Sequence, residues 1–131
     1  MCLYVGEVIH AEEAERRGKI YDREGCTYLF DLDFNETENE DCLYSVDAAK
    51  YGNIAHFINH SCDPNVCKRR LKNSDGTENG WHGIFADKDI KEGEELTISY
   101  INKDSLALGR EQRWQKLHWM QYGCFCTKCK G

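Results

Sequence analysis

Three cysteines fall within six residues near the end of the sequence, in Cys124-Phe125-Cys126-Thr127-Lys128-Cys129. Thiolates at that spacing can take three corners of one tetrahedral Zn²⁺ site, and a closed structural site then needs a fourth ligand from elsewhere. The competing reading is a group of unpaired thiols at a chain end. A second run, Asn53-Ile54-Ala55-His56-Phe57-Ile58-Asn59-His60-Ser61-Cys62-Asp63-Pro64-Asn65, gathers amides, two histidines and a cysteine around a chain reversal. A histidine near a cysteine can activate a nucleophile. The same residues can equally form a buried polar turn whose side chains satisfy backbone groups. A third run, Gly93-Glu94-Glu95-Leu96-Thr97-Ile98-Ser99-Tyr100, is a turn feeding a strand that ends in a phenol. Its ordinary role would be to pack the ring and expose the hydroxyl.

The chain has eight cysteines in 131 residues and shows no secretory leader, which favours metal ligation over disulfides. Cys2, Cys26, Cys42 and Cys67 are scattered singly and read as free thiols. A formal charge of −6 argues against direct nucleic-acid binding as the main task, because phosphate contacts need a basic face. It suits a basic partner such as a lysine-rich tail. No apolar run is long enough to cross a bilayer. Met1 to Ile9 is apolar but short and lacks a basic leader, so an intracellular chain with no membrane role is expected. The length provides for one modest core, and a single proline argues against disorder.

These residues need elements to hold them. No internal repeat is visible. Leu3 to Ile9 predicts one strand, and Ala11 to Lys19 a short charged helix stopped near Gly18. Tyr28 to Asp33 and Leu43 to Val46 predict further strands, separated by a solvated acidic loop at 35–41. Asn53 to Asn59 predicts a turn or two of helix. Strands around Val66–Leu71 and Trp81–Phe85 should flank a polar hairpin-like loop, and Leu96 to Tyr100 should be a strand. From Asp104 to Gln121 there is no proline, and Leu106, Trp114, Leu117 and Met120 lie at helical spacings with Gly123 as a cap. That pattern predicts one helix, so the whole reads as a β-rich domain with a helical, metal-stapled appendage.

Tyr4-Val5-Gly6-Glu7, Tyr28-Leu29-Phe30-Asp31-Leu32-Asp33, Asn59-His60-Ser61-Cys62-Asp63-Pro64-Asn65, Gly93-Glu94-Glu95-Leu96 and the terminal cysteines stand in the order found in SET-domain lysine methyltransferases. The chain resembles that family over nearly its whole length. The Asn-His-Ser-Cys-Asp-Pro-Asn run is the most specific part. Within the family it is most similar to the suppressor-of-variegation type histone H3 lysine-9 methyltransferases. Glu12 to Gly18, Val46 to Ile54, and His56 where several relatives carry arginine point that way. The tail spacing Cys-x-Cys-x-x-Cys, the segment Arg110 to Leu117 with Tyr122-Gly123-Cys124, and Ser99 in place of the usual aspartate depart from that class.

The resemblance implies a mainly β, SET-domain fold of short twisted strands with a near-knotted C-terminal segment. A helix and a zinc-binding post-SET tail follow. It divides the chain into a SET domain at 1–103 lacking its first strands, a helical spacer at 104–123 and a post-SET segment at 124–131. The cofactor-binding Gly-x-Gly segment and the cysteine-rich pre-SET region are expected upstream, which makes the chain N-terminally truncated. The implied activity is methyl transfer from S-adenosylmethionine to a lysine ε-amine. Tyr100, Tyr4 and His56 fall at catalytic positions, with Tyr4 lining the lysine channel. Tyr28, Asn59 and His60 are implied to contact the cofactor, and Phe125 either stacks near its adenine or packs beside the metal. Cys62 completes a structural Zn²⁺ site with Cys124, Cys126 and Cys129. Ile98 stands where relatives carry phenylalanine or tyrosine, which implies that di- or trimethylation is permitted. The implied substrate is the histone H3 tail, with chromatin proteins as partners and the nucleus as location. A non-catalytic, zinc-stapled module that binds a tail or a chromatin partner is the alternative from a different class.

Overall fold

The apolar run at the N-terminus is two strands rather than one. In the computed structural model, β1 (Cys2–Leu3) and β2 (Glu7–His10) belong to different sheets, and the chain turns between them at Tyr4 to Gly6. Gly6 allows the turn, because a Cβ there would lie 2.5 Å from the Asp47 carbonyl oxygen. A period-2 pattern shows where side chains point but not where a strand changes partners. The structure describes residues 1–25, 27–32, 43–118, 120 and 123–130, with residues 78 and 79 described by their backbone only. The predicted acidic loop at 35–41, the end of the Tyr28–Asp33 strand, Cys26, Cys42, Gln121 and Tyr122 lie outside these.

The chain forms two compact units, Met1–Phe57 with Lys68–Phe85, and Ile58–Cys67 with Ala86–Gly131. In the first unit β2 pairs antiparallel with β4 (Tyr44–Asp47), which also pairs with β3 (Leu29–Asp31). A second sheet has β7 (Glu78–Ala86) between β1 and β6 (Val66–Lys72). Val46 and Ala48 are wholly buried, and Tyr4, Ile9, Ala55 and Ile84 join them in the core. Helix α1 runs Ala11–Glu24, through Gly18 and past the predicted stop, until Gly25 closes it at φ 74°. A mid-helix glycine costs only about 1 kcal/mol, and Arg17 outweighs it. Its guanidinium reaches Glu13 on the same helix, Glu7 on β2 and Asp47 on β4, all within 2.7 Å.

The predicted helix at Asn53 to Asn59 is a single 3₁₀ turn, Ile54–Phe57, that feeds β5 (Asn59–His60). In the second unit β5 pairs in parallel with β8 (Thr97–Ile98), Asn59 opposite Thr97 and His60 opposite Ile98. The single predicted C-terminal helix is two short ones, α2 (Lys103–Leu106) and α3 (Arg110–Lys116). Asn102 caps α2 by accepting from the Ser105 N–H at 2.8 Å. Gly109, in an extended conformation, starts α3. A last helix, α4 (Thr127–Lys130), carries Cys129. Leu117 is 2% exposed and packs with Cys62, Cys124 and Cys129, flanked by Ile101, Leu106, Met120 and Cys126. Burying that leucine contributes about 2 kcal/mol. No described helix is long and apolar enough to cross a membrane.

Candidate active-site residues and metal centre

In the second unit the Asn59–Asn65 turn is fastened to β8 and its flanks; the strand expected over Leu96 to Tyr100 is only Thr97–Ile98, and Tyr100 lies two residues past its end. Asn65 is the clamp: buried, it accepts from the Thr97 N–H at 2.9 Å and donates to Glu94 Oε1 at 2.8 Å and to the Glu95 carbonyl at 2.9 Å. Its own N–H donates to the Thr97 carbonyl. Ser61 N–H donates to the Ile98 carbonyl at 3.0 Å, and Asn59 Nδ2 donates to Glu95 Oε1 at 2.8 Å. The turn is therefore a buried polar one with satisfied backbone groups. Ile98 is buried, 6% exposed, within this pairing.

The Tyr100 hydroxyl donates to the Ile58 carbonyl at 2.5 Å, and the ring remains 42% exposed. A phenol oxygen that donates its proton can also accept. The Tyr100 N–H donates to His60 Nδ1 at 3.0 Å. His60 therefore carries its proton on Nε2, which faces Cys62 Sγ at 3.4 Å. Burial, with the Arg113 guanidinium adding to it, lowers the imidazole to about 4, so the ring is neutral. A neutral imidazole that already donates to Cys62 is not placed to take a proton from that thiol.

Cys62 belongs instead to a group of four sulfurs. Cys62, Cys124, Cys126 and Cys129 Sγ atoms all lie within 4.8 Å of one another. Cys62 is 3.8 Å from Cys124 and 3.6 Å from Cys129. A disulfide needs about 2.05 Å, whereas the edge of a tetrahedron with Zn–S bonds near 2.3 Å is about 3.8 Å. The donor set and its spacing fit Zn²⁺. Without a cation the four cannot all be charged. Burial pushes the Cys62 thiol up to about 12 and also raises Cys124. At Cys126 burial acts the same way but is outweighed by the Cys62 N–H and the neighbouring thiols, and its thiol falls to about 6. Phe125, between two of these cysteines, is 65% exposed and leaves the metal core to Leu117.

The first unit holds the remaining predicted residues. Tyr4 is 9% exposed, stacks on Phe30 at 4.6 Å and donates its hydroxyl to the Tyr28 carbonyl at 2.9 Å. The Tyr28 ring lies 5.0 Å from that of His56, whose Nδ1 donates to the Ala48 carbonyl at 2.8 Å. Phe57 meets His56 edge-on at 4.0 Å. The rings thus fall in two groups, Tyr4 on Phe30 and Tyr28 beside His56, linked by the Tyr4 hydroxyl on the Tyr28 carbonyl.

A family model described as SET domain matches residues 1–101. The chain belongs to the SET-domain family. It is 51% identical over 107 residues to histone-lysine N-methyltransferase SUV39H2 of Gallus gallus, covering 80% of this chain and 25% of that protein. It is 52% identical over 104 residues to SUV39H2 of Homo sapiens, covering 78% of this chain and 24% of that one. Su(var)3-9 of Drosophila pseudoobscura pseudoobscura is 49% identical over 109 residues, 80% of this chain and 16% of its own. The chain spans about a quarter or less of these relatives' length. SET methyltransferases use S-adenosylmethionine, and in this SET chain the four-cysteine group can bind zinc.

Two residues of the SET chain escaped sequence reasoning. Asn65 was visible within the most specific run, but nothing local marked it as the clamp. Arg113 is the other. It is 6% exposed, and its Nη2 donates to Cys129 Sγ at 3.6 Å and to the Lys128 carbonyl at 3.3 Å. The only signal in the sequence is its place one turn before Leu117, on the face that turns inward.

Proposed function

We propose that this chain is the methyl-transfer segment of a histone-lysine N-methyltransferase, with the histone H3 tail as substrate at lysine-9 and nuclear chromatin as its setting. Membership of the SET family and half-identity to proteins named as such enzymes support the reading. The observation that carries it is the mounting of Tyr100: its N–H on His60 and its hydroxyl on Ile58 hold the phenol in one place just past β8.

When bound, S-adenosylmethionine supplies an electrophilic methyl group. The nucleophile is a lysine nitrogen, so no side chain of this protein forms a covalent bond. The protein's task is to align the amine and keep it neutral. Aromatic walls do the second by desolvation, which lowers a lysine pKa. Tyr4 is assigned to the lysine channel, and its stacking on Phe30 makes it a rigid wall. Tyr100 accepts from the amine. His56, held by Ala48, keeps the Tyr28 ring in place. Tyr28, Asn59, His60 and Phe125 are assigned to the methyl donor, and the exposure of Phe125 leaves its ring available for stacking. Ile98 sets the product state. Cys62, Cys124, Cys126 and Cys129 hold a structural Zn²⁺, and the division into a SET portion at 1–103, a helical spacer at 104–123 and a post-SET segment at 124–131 follows the same reading.

The test is to incubate the zinc-loaded chain with S-adenosylmethionine and an H3 tail peptide and to read the peptide by mass spectrometry, with Tyr100→Phe beside it. Methyl mass on lysine-9 that the variant loses by roughly a hundredfold or more is expected. Transfer unchanged in the variant would overturn the role of Tyr100. No transfer by the folded chain, alone or within a longer natural protein, would leave a binding module in place of an enzyme.

A further inference from the structure

Arg113 is the only buried residue of α3. Its Nη1 donates to the Leu108 carbonyl, while Nη2 reaches the Lys128 carbonyl and Cys129 Sγ. Nε is buried with no hydrogen-bond partner among the described residues. No carboxylate among the described residues pairs with this guanidinium. A buried cation without a counter-charge is strongly disfavoured, and the groups within its reach that metal binding would make anionic are sulfurs. An apolar side chain would fill the same space beside Leu117 more cheaply, so the charge itself calls for a partner.

We infer that Arg113 is a positioning residue of the metal centre, a buried outer-sphere cation that offsets the charge of a zinc tetrathiolate and fixes Cys129 in ligating geometry. The inference rests on the zinc reading above. Four thiolates around Zn²⁺ carry a net charge of about −2, and one guanidinium halves it. Cys62 is also met by His60, whose Nε2 lies 3.4 Å from its Sγ. Through Leu108 and Lys128 the same guanidinium ties the start of α3 to the tail. Charge compensation and seating of the tail therefore depend on one side chain. Outer-sphere groups of this kind commonly set both ligand orientation and affinity.

The experiment uses the full 131-residue chain with Arg113→Met and Arg113→Lys variants. Cobalt(II) loading reads the ligand set through thiolate charge-transfer and tetrahedral d–d bands, and competition with a metallochromic chelator reads zinc affinity. The parent is expected to show a four-thiolate cobalt spectrum. Arg113→Met should bind zinc roughly 10- to 100-fold more weakly, and Arg113→Lys should recover part of that loss, because it keeps the charge and loses the fork. Parental affinity in Arg113→Met overturns the inference, and so does equal weakening in both variants, which would assign the effect to packing. Should Arg113→Met fail to fold with metal present, Arg113→Lys decides alone: binding within about tenfold of the parent supports the charge role, and a greater loss overturns it. A parent without thiolate-to-cobalt bands instead sinks the zinc reading, independently of Arg113.

Discussion

His60 joins Tyr100 to the sulfur group through the two nitrogens of one ring. Nδ1 accepts the Tyr100 N–H at 3.0 Å, and Nε2 donates to Cys62 Sγ, 3.4 Å away. The ring is 8% exposed and lies 5.3 Å from the tyrosine ring, so it has little room to move. Tyr100, just past β8, and a sulfur of the four-cysteine group are thereby referred to the same imidazole, whose tautomer is set by the backbone it accepts from.

Replacing that ring should disturb both ends. His60→Ala leaves the Tyr100 N–H without its acceptor and opens a gap, at a cost of about 2–3 kcal/mol in urea unfolding. Zinc content by elemental analysis and methyl transfer should both fall. A variant of lower stability that keeps full zinc occupancy and full transfer would show that the ring only fills space.

Ile98 is buried opposite His60 and offers no hydrogen bond to a water or an amine. Time courses by mass spectrometry should therefore run past monomethyl to di- or trimethyl peptide. Ile98→Tyr should shift the product towards monomethyl, while the larger ring costs about 1–3 kcal/mol of stability. Product that stops at monomethyl in the parent at long times removes the assignment of Ile98.

Acid should loosen the first unit through Arg17. Hydrogen bonds from Arg16 and Arg17 hold Glu13 at about 2, and one from Arg17 holds Glu7 below its usual range. Burial pushes Asp47 up, but Arg17, the Ala49 N–H and the Tyr21 hydroxyl outweigh it and the carboxyl ends lower than usual. Each folded-state value is lowered, so the stability these groups supply is present above the ordinary value of 4.5 and is lost as pH falls from there towards about 2. The thermal midpoint should drop steeply over that window. Arg17→Gln should flatten the dependence and cost about 2 kcal/mol at neutral pH, because Asp47 stays buried without its cation. A variant whose midpoint tracks the parent at every pH would assign the acid sensitivity elsewhere.

The sequence made the turns legible, because they rest on local chemistry. The hairpin loop is Asn73 to Thr77, where Gly76 takes φ 85° and Asp75 accepts from Thr77. The turn at Lys91 to Glu94 likewise places Gly93 at φ 81°. Helical spacing over Asp104 to Gln121 misled, since spacing is silent about interruptions. Gly109 starts a new helix whose Gln112 accepts from the Gly109 N–H, and Arg113 takes the Leu108 carbonyl between the two helices. The predicted run through Leu3 to Ile9 failed at Gly6, where contact with β4 is decided by a residue some forty positions away.

By itself the sequence determined what nearest neighbours and composition can carry: alternating strands, glycine turns, an acidic balance, three thiols at metal-ligand spacing and a specific Asn-His-Ser-Cys run. Cys62 entered the ligand set only through the family resemblance. Tertiary structure decided that its sulfur meets one that lies 62 positions further along, that Asn65 bonds across to Thr97 and Glu94, and that a cationic side chain on a surface-like helix turns inward to Cys129. The physical reason is that burial and pairing belong to the packed chain. A side chain's type says what bonds it can make, and only the fold says which partner is within reach.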